Sequence, residues 1–214
     1  AASENPVDAF TRLNIGKIPL ADDELIRALF LKRNADDASG EPPQQLRIAH
    51  EWDQLEKALQ NDALWYFLNE QPSTGQNRIG FLFQLVARLE GASAPARQRY
   101  SVFHHYSRRL AAPDASTQPL WQQVKNTCML LEEWFEDRRL YHIIGFLVQQ
   151  GVAVAELFAL SQGLPKSQFE QRLRQRVFMQ LTGSPLPQPA TRDAITDALS
   201  PFLAGLDYSQ RDRS

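Results

Sequence analysis

The sequence predicts a mostly α protein built as a multi-helix bundle. Apolar residues recur at spacings of three and four along most of its 214 residues. Helix caps, glycines and prolines punctuate those periods. No stretch sustains the alternation of a half-buried strand, and no internal repeat is present.

In chain order, Asp22, Asp23 and Glu24 place negative charge at the positive end of a first helix striped by Leu25, Ile26, Leu29 and Phe30. The polar run 34–43 contains Gly40, Pro42 and Pro43 and reads as a linker. Ile48, Trp52, Leu55 and Leu59 then mark one helical face, and Asn61-Asp62 caps a short aromatic helix that ends at Leu68. Ile79, Leu82, Phe83, Val86 and Leu89 stripe the next helix, and Phe103, Tyr106 and Leu110 another. Thr117 or Gln118 caps the longest period, with Pro119 in its first turn and Trp121, Val124, Cys128, Leu131 and Phe135 along its seam. Residues 140–148 are apolar on nearly every side, which predicts a central buried helix stopped at Gly151. A short helix at 152–160 follows. Ser167 and Glu170 match a capping box ahead of Phe169, Leu173, Val177 and Leu181, with Gly183 as the stop. The run 184–189 is a stiff Pro-rich linker, and 193–206 a weak helix interrupted near Pro201.

Composition narrows the functional classes. Twenty-three basic against 25 acidic residues leave a formal charge of −2, so no strong field invites nucleic acid or an anionic membrane. One cysteine excludes an internal disulfide and fits a reducing compartment, so a cytoplasmic location is expected. No apolar run approaches the ~20 residues that span a bilayer.

The candidate chemistry sits at the start of the chain. Arg12, Asn14, Gly16 and Lys17 lie on a short segment between a turn and the first helix. A guanidinium forks onto two phosphate oxygens, an ammonium adds a point charge, and glycine lets backbone N–H groups face the anion. The plainer reading is that Arg12 and Lys17 are solvated and Asn14 caps a turn. Elsewhere the plainer readings prevail. Gly75 and Gly80 have the gap of a phosphate loop, but Phe81 and Leu82 stand where Lys and Ser or Thr belong. His104-His105 with Arg108 and Arg109 reads as a solvated basic face, and Glu132, Glu133, Glu136 and Asp137 as a solvated acidic one. His142 reads as a core histidine and Cys128 as an inert packing residue. Arg172, Arg174 and Arg176, with Arg78 and Arg88, could face DNA, but no aromatic residues interleave them.

The run FTRLNIGKIPL at 10–20, followed by ELIRALFL at 24–31, resembles the signature of the GmrSD-type restriction proteins, in their amino-terminal domain with a ParB/sulfiredoxin-like core. Three further blocks, at 61–68, at 77–83 and at 131–145, are similar to that family's helical part in the same order. The resemblance implies a nucleotide-dependent component of a system that attacks modified foreign DNA, coupled to an HNH-type nuclease domain. It also implies that Arg12, Asn14, Gly16 and Lys17 edge a nucleotide site. The family's D-G-Q-Q-R motif does not occur in these residues, and neither does a nuclease motif, so the chain reads as a fragment. Ala21 stands where the family has a hydroxyl cap, and Gly80 and Gln84 where it tends to carry acids.

The expected organisation is therefore a tail of the α+β nucleotidase core at 1–33, a linker at 34–45, a helical domain at 46–183, and a linker with a weak terminal helix at 184–214. The fragment itself is expected to hold no cofactor and to be inactive alone. The intact protein is expected to use a nucleotide triphosphate with Mg, to act on DNA, and to work with a nuclease domain in cis or in trans, with self-association open. The alternative is a non-enzymatic helical protein-interaction domain, for which an exposed aromatic patch around Trp65, Tyr66 and Trp121 would be the sign.

Overall fold

The computed structural model describes residues 20–33, 44–69, 78–91, 100–112, 116–187 and 190–211, apart from the side chains of 32, 33, 44, 45 and 202–211. Among the described residues the chain forms ten helices and no strand: α1 (Asp22–Arg33), α2 (Gln44–Leu59), α3 (Asp62–Leu68), α4 (Arg78–Leu89), α5 (Ser101–Ala111), α6 (Thr117–Glu136), α7 (Arg138–Gln149), α8 (Val154–Ser161), α9 (Lys166–Thr182) and α10 (Arg192–Arg211). The mostly α fold class follows from the sequence pattern. Two compact units result, Ala1–Asn61 with Ser73–Met129, and Asp62–Pro72 with Leu130–Ser214.

In the first unit α1 packs against α2, α4 and α5. Its start lacks a hydroxyl cap, and Glu24 supplies the alternative: its carboxylate accepts the Ala21 N–H at 2.8 Å, half of a capping box. Leu25, Ile26 and Phe30 are buried, while Leu29 is half-buried. Phe30 lies at the centre of an aromatic core. Its ring centroid is 6.1 Å from Phe83, 6.0 Å from Tyr106 and 6.0 Å from Trp121. Trp52 completes the cluster, 5.1 Å from Phe83 and stacked on Trp121. Rings of this size contribute both area and edge-to-face geometry, so they dominate the stability of a small helical unit. Helix α6 starts one residue earlier than the Thr117 cap predicted: Ser116 Oγ accepts the Gln118 N–H at 3.3 Å.

In the second unit α3 packs on α7, and α9 on α7, α8 and α10. Phe67 stacks on Tyr141 at 5.1 Å and meets the edge of Phe135 at 5.7 Å. The close approach uses Gly145, where a Cβ would lie 3.7 Å from the Phe67 ring. Trp134 packs on Phe169 at 5.3 Å and on Phe158 at 6.4 Å. Helix α7 ends in a Schellman motif, with Gly151 N–H to Val148 C=O at 2.9 Å and Val152 N–H to Leu147 C=O at 3.0 Å. Gly151 adopts φ +82°, the left-handed region that glycine enters without strain.

Several expectations are corrected in this unit. Helix α7 is amphipathic: Leu140, Ile144, Leu147 and Val148 are buried, whereas Tyr141 and His142 are exposed. His142 is therefore not a core histidine. The capping box at Ser167 does not form, because Pro165 in extended backbone already begins α9 and no side chain caps it. Glu170 pairs forward with Arg174 at 2.6 Å instead. Pro201 sits inside α10, which continues through it. On α6, Trp134 takes the buried position and Phe135 is half-buried, so the acidic face turns around a different seam than spacing suggested.

Candidate functional site

Arg12, Asn14, Gly16 and Lys17 lie outside the described residues, as do most of the expected linker at 34–45 and Gly75. What the structure describes is the segment immediately downstream of them. Asp22, in the first turn of α1, reaches the amino end of α5, where its carboxylate meets the backbone N–H groups of Phe103 and Val102. Tyr100, the N-cap of α5, makes no side-chain cap bond and holds a left-handed backbone at φ 61°, and Asp22 caps that helix from another element. Its Oδ1 is buried with no hydrogen-bond partner among the described residues. Burial pushes the Asp22 carboxyl above the usual aspartate range, although the N–H groups of Phe103 and Val102 and the charge of His104 pull it down. Asp23 is 5% exposed, and burial raises its carboxyl too, assisted by Glu24, Glu56 and Asp22 and opposed by its own backbone N–H. Gly80 faces it, and a Cβ there would sit 3.9 Å from the Asp23 Cβ.

Two more polar clusters hold the first unit. Glu51 accepts the indole N–H of Trp121 and the Lys125 ammonium at 3.0 Å. Burial alone would raise the Glu51 carboxyl. The bonds from Trp121 and Lys125 and the charges of Lys125 and Arg47 outweigh it and hold the group below the usual glutamate range. On α5, His105 is 8% exposed and its Nε2 lies 2.8 Å from Glu90 Oε2. An ionised carboxylate can only accept, so Nε2 carries the proton. Arg109 reaches the other oxygen of Glu90 at 3.2 Å. The adjacent Tyr106 donates its hydroxyl to the Phe83 C=O at 3.2 Å, and burial, with the charge of Glu90, pushes its phenol well above the ordinary value.

The expected solvated basic face at His104–Arg109 is thus corrected. His105 turns inward because its partner, Glu90, arrives from the end of α4, a contact no local spacing reveals. Arg78 donates to the Leu59 C=O at 2.9 Å and closes the end of α2. Trp65 and Trp121 are buried, at 3% and 0% exposure, and Tyr66 alone of the three is exposed.

In the second unit Asp137 caps α7, accepting the N–H groups of Arg139 at 2.8 Å and Leu140 at 3.0 Å. Lys166 lies between Glu133 at 2.8 Å and Asp137 at 3.0 Å. The Leu140 N–H and the Lys166 ammonium hold the Asp137 carboxyl below its usual range, and Glu133 and Asp137 raise the Lys166 ammonium. These groups belong to helix capping and surface pairing, so the acidic cluster is structural. Glu132 is the exception in environment: burial, then Glu136, raises its carboxyl.

Among the described residues no three His, Cys, Asp or Glu side chains converge as a metal would require. Cys128 is buried on the packing seam of α6. No helix among the described residues is long and apolar enough to cross a membrane. No family model, no curated protein and no solved structure matches the chain.

Proposed function

We propose that this chain is the helical part of a GmrSD-like, NTP-dependent component of a DNA restriction system, contributing one wall of a nucleotide site and the scaffold behind it. The observation that carries the reading is the ordered set of four sequence blocks, of which the first ends in α1. Its support in the fold is the use made of those blocks. Leu25, Ile26 and Phe30 of the first block and Ile79, Leu82 and Phe83 of the third are all buried in one unit. Phe67 of the second and Tyr141 of the fourth stack in the other.

The acids that follow that segment set the division of labour. Asp22, Asp23, Glu24 and Glu56 repel phosphate, so contacts to a triphosphate fall to Arg12 and Lys17, with Asn14 and Gly16 shaping the loop. The nuclease and the DNA contact belong, on this reading, to the intact system.

Titration with GTP and ATP in the presence of Mg tests it. The chain alone, and the chain with any residues its gene encodes upstream, are each measured as wild type and as Lys17→Ala. Binding by the extended form alone, weakened about tenfold or more by Lys17→Ala, is the expected result. Absence of binding in every form overturns the reading and leaves the helical interaction domain as the account.

A further inference from the structure

The second unit carries a groove that no part of the nucleotide reading uses. It runs between α8 and α9 with a volume of about 320 Å³. Val152 and Leu157 form its buried floor, and Leu160 and Met179, the latter 40% exposed, form apolar walls. Arg172, Arg176 and Met179 share one face of α9 because they stand at i, i+4 and i+7.

We propose that this groove docks an acidic amphipathic helix of a partner protein. The charge of the groove specifies the chemistry: Arg172 and Arg176 of α9 stand against Glu156 of α8 alone. Lys166 is held by Glu133 and Asp137 and Arg174 by Glu170, all away from the groove rim formed by Arg172 and Arg176. Arg176 is bridged to Glu156 at 3.2 Å, with both side chains about half exposed to water, the kind of pair worth little and readily exchanged. Arg172 has no carboxylate partner among the described residues. Two guanidinium groups one turn apart match two carboxylates one turn apart on a facing helix, and the same helix can place aliphatic side chains between them onto the apolar floor. Methionine suits such a wall, since its unbranched side chain adapts to the knobs it meets. A small-molecule site would be more enclosed and would converge polar groups. A nucleic-acid backbone has no use for the apolar Val152–Leu157 floor.

The test uses the full chain and a fluorescent peptide of about four helical turns, with leucines at i, i+3, i+4 and i+7 and glutamates flanking them. A scrambled peptide of the same composition and a DNA duplex serve as controls. The helical peptide binds, the scrambled one does not, and Met179→Lys and the pair Arg172→Glu with Arg176→Glu each weaken binding about tenfold or more. Amide shifts of the wild-type protein on titration then move within 152–160 and 172–179, a readout that needs no variant to fold. Equal binding of both peptides, or shifts confined elsewhere, overturns the proposal. So does duplex binding that depends on the arginines and not on Met179, which would make this a nucleic-acid surface. Self-association of the chain that Met179→Lys abolishes also overturns it, in favour of a second copy as the occupant.

Discussion

Trp52 lies flat on Trp121, with ring centroids 5.7 Å apart and planes 4° from parallel. Both indoles are almost wholly buried, and the Trp121 N–H is spent on Glu51. The pair joins α2 to α6, elements separated by about seventy residues, through area and a satisfied polar tip together.

Trp121→Ala therefore removes a large buried side chain and strips Glu51 of its indole partner. A loss of about 3–5 kcal/mol is expected in urea unfolding. Glu51→Gln keeps the shape and removes the charge, and its signature is in pH. The folded Glu51 carboxyl binds its proton less tightly than the unfolded one, so its contribution is present above the ordinary value of 4.5 and is lost as pH falls through the lowered folded value. Acid unfolding curves of Glu51→Gln should lack that part of the wild-type decline.

Asp22 predicts the opposite slope. Its folded carboxyl is raised, so the folded state holds the proton more tightly, and stability falls as pH rises from 3.8 through the raised value. Asp22→Asn retains an acceptor for the Val102 and Phe103 N–H groups without that charge and should be neutral or stabilising at pH 7. Asp22→Ala uncaps α5 and should cost about 1 kcal/mol. Thermal melts of the two variants across pH separate cap from charge, and equal melting of both would remove the cap from the account.

Glu90 and His105 form a contact whose cost appears when one side is removed. Glu90→Ala leaves a buried imidazole without its acceptor and should destabilise by about 1–3 kcal/mol. His105→Leu in the Glu90→Ala background should recover part of that, because an apolar group asks for no partner. A double-mutant cycle in urea measures the coupling, and strict additivity would show that the pair contributes nothing.

Much of the helical pattern was legible residue by residue. The buried positions Ile26, Phe30, Ile48, Trp52, Leu82, Phe83, Trp121, Val124 and Leu131 all lie on the stripes that spacing predicts, and Gly151 and Gly183 end their helices as their backbone freedom allows. The polar roles were less visible. A histidine beside two arginines reads as solvated until Glu90 arrives from another helix, and Asp22 reads as the start of its own helix although its carboxylate serves α5. The groove face Arg172, Arg176 and Met179 was hidden beside the stronger apolar stripe of Phe169 and Leu173.

Sequence by itself determined that the described chain is helical, where most of its helices start and stop, and which face of most of them is apolar, because hydrophobic period, caps and glycine conformations act within a few residues. Tertiary structure decided which apolar faces meet, which charged groups find partners, and which side of α7 stays in water. Those outcomes depend on contacts between residues distant in the chain, such as Glu51 with Trp121 and Glu90 with His105, and burial changes the cost of a charge only once such a partner is in place.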